Sequence, residues 1–118
     1  MSQSASQAAA FYREVAQAKA VWTVRDDGGY PAPLNGSGER AQPFWSSLKR
    51  AEKIIATVPA YRLFQPVEIS WSDFTAKWVP GLAQDKIMVG VNWTGMRATG
   101  YDLPPEDVKR NVEAQVEF

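Results

Sequence analysis

The chain has 118 residues, with 13 basic and 13 acidic side chains and neither histidine nor cysteine. That length suits one domain, residues 1–118, around a single hydrophobic core, and without disulfides its stability must come from packing. Zero formal net charge with interspersed signs removes the long-range field by which nucleic-acid binders gather phosphate backbone. Missing histidine and cysteine remove the usual neutral-pH base, the readiest thiolate nucleophile and the commonest metal ligands, so neither a metal nor a cofactor is expected.

Met1–Gln7 shows no basic segment followed by an apolar one, so it does not read as a secretory signal. No apolar run approaches the roughly 18 residues of a membrane span. The expected setting is the bacterial cytoplasm, where the sequons at Asn35 and Asn92 carry no meaning. The densest basic cluster, Lys49, Arg50 and Lys53 with Glu52, reads as a solvated helix face rather than a phosphate patch.

Taken in order, Ala8, Phe11, Val15 and Ala18 form the stripe of an amphipathic helix over about residues 6–19, supported by high alanine content. Ala20–Asp26 is β-branched and aromatic, and Asp27-Gly28-Gly29 reads as a hairpin turn. Tyr30–Leu34 is then expected as an edge strand interrupted by Pro31 and Pro33, with a turn at residues 35–38 and a third strand over Glu39–Phe44. These three strands predict an antiparallel meander.

Ser46 or Ser47 caps a helix whose apolar face carries Leu48, Ala51, Ile54, Ile55 and Val58, and which Pro59 ends. A short strand follows at residues 66–69. Ser70 and Asp73 fit a capping box opening a short helix that bears Phe74 and Trp78 and stops at Pro80-Gly81. Ile87, Val89, Val91 and Trp93 alternate with Met88, Gly90 and Asn92 in the clearest strand. Pro104 and Pro105 open a last helix with a buried stripe of Val108, Val112 and Val116. The expected architecture is α+β: a mainly antiparallel sheet of about five strands, meander first, under about four helices.

Several of these segments together resemble a known family. Val21-Trp22-Thr23-Val24 with Asp27-Gly28, then Pro43-Phe44-Trp45-Ser46, Pro66–Ile69, Phe74, Trp78–Leu82 and Val89–Trp93 resemble the bacterial family known as domain of unknown function 2750. The resemblance runs from Phe11 to the last helix. It implies a single small domain and brings no reaction with it. Asn35–Arg40 and Arg97–Tyr101 look like loop variation outside that pattern.

Residues 36–41 fit the loose dinucleotide fingerprint G-x-G-x-x-A, but a strand follows where the phosphate-binding helix would stand, so they read as a turn. Asp26, Asp27, Asp73, Asp85, Glu39 and Glu68 show no spacing that pairs two carboxylates across a cleft. Of the five tryptophans, most are expected in the core, with Trp45 and Trp93 half exposed at strand ends.

The leading expectation is therefore a non-enzymatic module that binds a protein partner through a surface containing Trp22, Arg25, Trp45, Asn92 and Trp93. Homodimerisation is possible on this reading, whereas nucleic-acid and membrane partners are not expected. One alternative is a small-ligand binder with a pocket between the last helix and the sheet, lined by Trp22, Met88 and Trp93. The other is a carboxylate-dependent hydrolase.

Overall fold

The computed structural model of the protein describes residues 2–115. Helix α1, Gln3–Ala18, starts earlier than its apolar stripe because the Ser2 hydroxyl accepts from the Ala5 N–H. It ends where Lys19 turns left-handed at φ 58°. Strand β1, Ala20–Arg25, follows at once, and the tight turn behind it forms as expected, with the Asp26 carboxylate accepting from the Gly28 N–H at 2.8 Å.

Beyond that turn the chain departs from the expected meander. Tyr30–Leu34 makes no strand beside β1, since Pro31 and Pro33 have no N–H to offer a ladder; only Leu34 forms a bridge, to Arg40. β1 pairs instead, antiparallel, with β3 (Gln65–Ser70). β2 (Arg40–Phe44) lies parallel to β4 (Ile87–Thr94), and β4 pairs antiparallel with β5 (Thr99–Leu103). The single, mainly antiparallel sheet is thus replaced by two sheets, β1–β3 and a mixed β2–β4–β5. One backbone bridge stitches them, in which Trp22 and Trp45 exchange N–H···O bonds of 2.8 and 2.6 Å.

Four helices stand among the described residues. α2, Leu48–Thr57, is capped by the Ser47 hydroxyl, which accepts from the Arg50 N–H, and it stops before Pro59. α3 covers residues 71–84 and is capped by the Ser70 hydroxyl, which accepts from the Asp73 N–H at 3.1 Å. Pro80-Gly81 does not end α3. Phe74–Trp78 widens into a π turn in which the Val79 N–H reaches the Phe74 carbonyl, leaving room for a proline that has no N–H, and the helix runs on to Gln84. α4, Pro105–Glu113, buries Val108 and Val112 as expected, while Val116 lies outside the described residues. No described helix is long and apolar enough to cross a membrane.

Strand alternation divides the core in two. On one face of β2–β4–β5, Phe44, Val89 and Val91 meet Phe11 of α1, Phe74 of α3 and Val108 of α4. On the other, Ala41 and Met88 meet Trp45 and, from α2, Ala51 and Ile54. Simple alternation would put Trp93 with Val89 and Val91. Asn92 breaks it: its φ is +49°, the β4–β5 register shifts between Val91 and Thr94, and Trp93 emerges among the Trp45 cluster on the opposite face. Asparagine enters this left-handed region more readily than most residues.

The displaced indole lies on Gly90. A Cβ at that position would overlap the Cε2, Cζ2 and Nε1 atoms of Trp93, and one on Gly100 would come within 3.0 Å of its Cδ1. Replacing Gly90 by alanine is therefore expected to cost at least ~1–3 kcal/mol in denaturant unfolding. Gly36→Ala, where a Cβ meets nothing within 4 Å, serves as the neutral control. An unchanged midpoint for Gly90→Ala would show that the indole lies elsewhere.

Candidate functional site

The aromatic surface expected from sequence is not assembled. Trp45, Asn92 and Trp93 are 0%, 1% and 5% exposed, and Trp22 is half buried against the same cluster. Arg25 is exposed, but its guanidinium carbon sits 5.5 Å from the ring centroid of Tyr30, whose edge meets Trp78. The Trp93 indole, carried by the bulge to the α2 face, packs there with Trp45, whose indole N–H donates to the Trp93 carbonyl at 2.9 Å. Trp22, Met88 and Trp93 do not face the last helix: among the described residues α4 packs on the sheet face opposite Trp93 and Met88.

The structure instead opens a cleft of about 700 Å³ between the 33–39 loop and the β4–β5 hairpin. All of β5, from Thr99 to Leu103, runs along it, with Leu34 and Asn35 on the loop side and Trp93 also in its lining. Asn35 organises the loop: its Oδ1 accepts from the Ser37 and Glu39 N–H groups at 2.9 and 3.0 Å, which shapes the G-x-G-x-x-A segment as the turn expected. Its Nδ2 donates to Asp102 Oδ2 at 3.0 Å, and Trp93 Nε1 donates to Asp102 Oδ1 at 2.9 Å. Both oxygens of Asp102 thus hold fixed N–H donors. Glu39 is a second carboxylate in the lining. Tyr61 also lines the cleft, and burial raises its phenol above the ordinary 10.0, keeping it neutral at physiological pH.

Two further properties mark this cleft. Leu34 and Tyr101 leave apolar side chains 62% and 45% exposed along it. The outer edge of β5 pairs with no strand among the described residues, and β5 carries neither proline nor lysine. The other edges are managed: the Pro33 carbonyl accepts from the Ala41 N–H beside β2, and β3 contains Pro66. Leu34, Asn35, Tyr101 and Asp102 went unnoticed in the sequence because they lie in or beside segments read as variable loops.

A polar cluster braces the site from the helix side. Arg50 grips Glu14 with two parallel bonds, Nε to Oε1 at 3.0 Å and Nη2 to Oε2 at 2.9 Å, and its Nη1 donates to Gln7 Oε1. The Ser46 hydroxyl donates to the same Glu14 carboxylate at 2.6 Å, and Asn92 Oδ1 accepts from the Ser46 N–H at 2.9 Å. Glu14 is held below its ordinary pKa of 4.5 by the Arg50 hydrogen bonds foremost; burial opposes this, and Ser46 and the charges of Arg50 and Arg13 reinforce it. Stability from this group is complete above about pH 4.5 and is lost as pH falls through the lower folded value. Glu14→Gln is expected to flatten the stability profile below about pH 4.5 in denaturant titrations, and to lower stability near pH 7 by about 1 kcal/mol. An identical acid limb in both proteins would contradict the assignment.

Comparison with curated proteins gives no match. Among solved structures, one from Anabaena, Tic22 (protein transport), is similar over 75% of this chain at 13% identity and a TM-score of 0.39. This chain spans 45% of that one. A family model described as Protein of unknown function (DUF2750) matches residues 8–112, and the chain belongs to that family.

Proposed function

We propose that the protein is a non-enzymatic interaction module that takes an extended segment of a partner protein as an added strand on β5. The observation that carries this reading is the coincidence of an unpaired strand edge with a cleft along its whole length. A strand entering there would gain main-chain hydrogen bonds from β5, and its alternate side chains would meet Leu34 and Tyr101. The bacterial cytoplasm is the setting we assign to that partner. A second copy of the chain is one such partner, and a dimer pairing β5 with β5 would be its signature.

The chemistry of the cleft favours recognition over bond-making. A carboxylate pair working as acid and base needs both members free to exchange protons with a substrate. Glu39 and Asp102 both line the cleft, but Asp102 is committed to Trp93 and Asn35. Its role on this reading is to lock the indole that forms part of the binding surface.

Selection of random peptides on immobilised protein tests this directly. Enriched peptides are expected to slow hydrogen exchange at the amides of β5. The pair Leu34→Glu and Tyr101→Lys, both at exposed positions, should weaken them at least tenfold without shifting the melting temperature. Peptides that protect another strand, or a selection that enriches nothing, would overturn the reading.

A further inference from the structure

A second, smaller cleft of about 380 Å³ shares Trp93 with the first and lies between the start of α1, one face of α2 and the turn after β4. Its α2 wall is a single stripe, Arg50, Lys53, Ile54 and Thr57, spaced as residues that share a helix face. The basic run on α2 is therefore not merely a solvated face, since two of its cations border a cavity.

That cavity is chemically polarised. Arg50 and Lys53 stand toward the start of the stripe and Ile54 and Thr57 toward its end, and no carboxylate among the described residues lines the cleft. Glu14 offsets Arg50, whereas Lys53 makes no ion pair among the described residues, which leaves one net positive charge beside the cleft. Arg50 is also pre-oriented. Three of its N–H groups are held by Glu14 and Gln7, and the remaining two of the five a guanidinium carries make no bond to the protein among the described residues. The apolar part is formed by Ile54 and Trp93, backed by the fully buried Trp45, with Met96, 84% exposed on its turn, at the margin. A methionine in that position is a flexible apolar flap suited to covering a ligand.

We infer that this cleft binds a small free monocarboxylate carried on an apolar chain or ring. The carboxylate meets Lys53 and the spare N–H groups of Arg50, while the apolar body lies beneath Met96, against the parts of Ile54 and Trp93 that reach the cleft. A neutral ligand of the same shape forgoes the charge contact, and a cationic one is repelled.

Octanoate is the probe, with octan-1-ol and octylamine as matched neutral and cationic controls, followed by amide NMR shifts and tryptophan fluorescence of the full chain. Octanoate should shift the amides of α2 and of residues 94–96 saturably, bind at least tenfold more tightly than octanol, and weaken as salt is raised. Lys53→Glu, at an exposed position without an ion-pair partner, should weaken octanoate about tenfold with an unchanged melting temperature. Met96→Ala should weaken octanoate and octanol alike. Equal affinity for octanoate and octanol would overturn the inference. So would an unaffected Lys53→Glu variant, absence of a saturable shift, or binding of a peptide with a free C-terminal carboxylate where octanoate fails. Strand addition is read out separately, in the exchange of β5 amides, so either reading can fail without the other.

Discussion

One backbone torsion governs this molecule: the left-handed conformation of Asn92 within its longest strand. A single extra residue there reverses which face each following side chain takes. Trp93 leaves the face packed against α1 and crosses to the face packed against α2. The Asn92 side chain meanwhile reaches toward α1, donating to the Gln7 carbonyl at 3.2 Å and accepting from the Ser46 N–H at 2.9 Å. A non-glycine residue in this region costs about 1–3 kcal/mol, and two or three buried hydrogen bonds of about 1 kcal/mol each offset it. The same residue therefore fastens the first helix to the start of the second and aims the indole that separates the clefts.

From that indole a chain of hydrogen bonds runs through the sheet. Trp45 donates to the Trp93 carbonyl, Trp93 donates to Asp102, and Asn35 donates to the other oxygen of Asp102. Residues far apart in sequence are thereby fixed around a common wall. Gly90 and Gly100 make it possible, because a side chain on Gly90 would occupy the indole's place and one on Gly100 would crowd it. Around this rigid centre the exposed apolar groups Leu34, Tyr101 and Met96 stand at the mouths of cavities rather than over plain surface. The site is thus a stiff frame with an apolar rim.

Local signals in the sequence were legible where local physics decides. The stripes of α1, α2 and α4 reappear, except that Ala18 and Leu48 are exposed and Val116 lies outside the described residues, and so do the caps at Ser47 and Ser70 and the strand over Ile87–Val91. Strand pairing was not legible, since β1 finds its partner some forty residues later, past a proline segment that cannot form a ladder. β5 was hidden because Gly100 and Asp102 are poor strand formers, and α3 outran Pro80 because a π turn absorbed it. Of the five residues expected to form a surface, Trp45 and Trp93 are buried together in the cluster on the α2 face, and Asn92 is held by Ser46 and Gln7 at the bulge. Its signals were present but unread: an asparagine inside a strand, and strand glycines marking where a bulky group comes close. The cleft itself escaped because its walls come from two segments that look like loop variation, joined only when Asn35 meets Asp102.

The position of the Trp93 ring is the most direct test of this architecture. In a NOESY spectrum of the folded protein, the indole protons should give strong cross-peaks to the Gly90 Hα protons and to Gly100. Cross-peaks from that ring to the methyl groups of Val89 or Val91, with none to Gly90, would place the indole on the α1 face and remove the shared wall of both clefts.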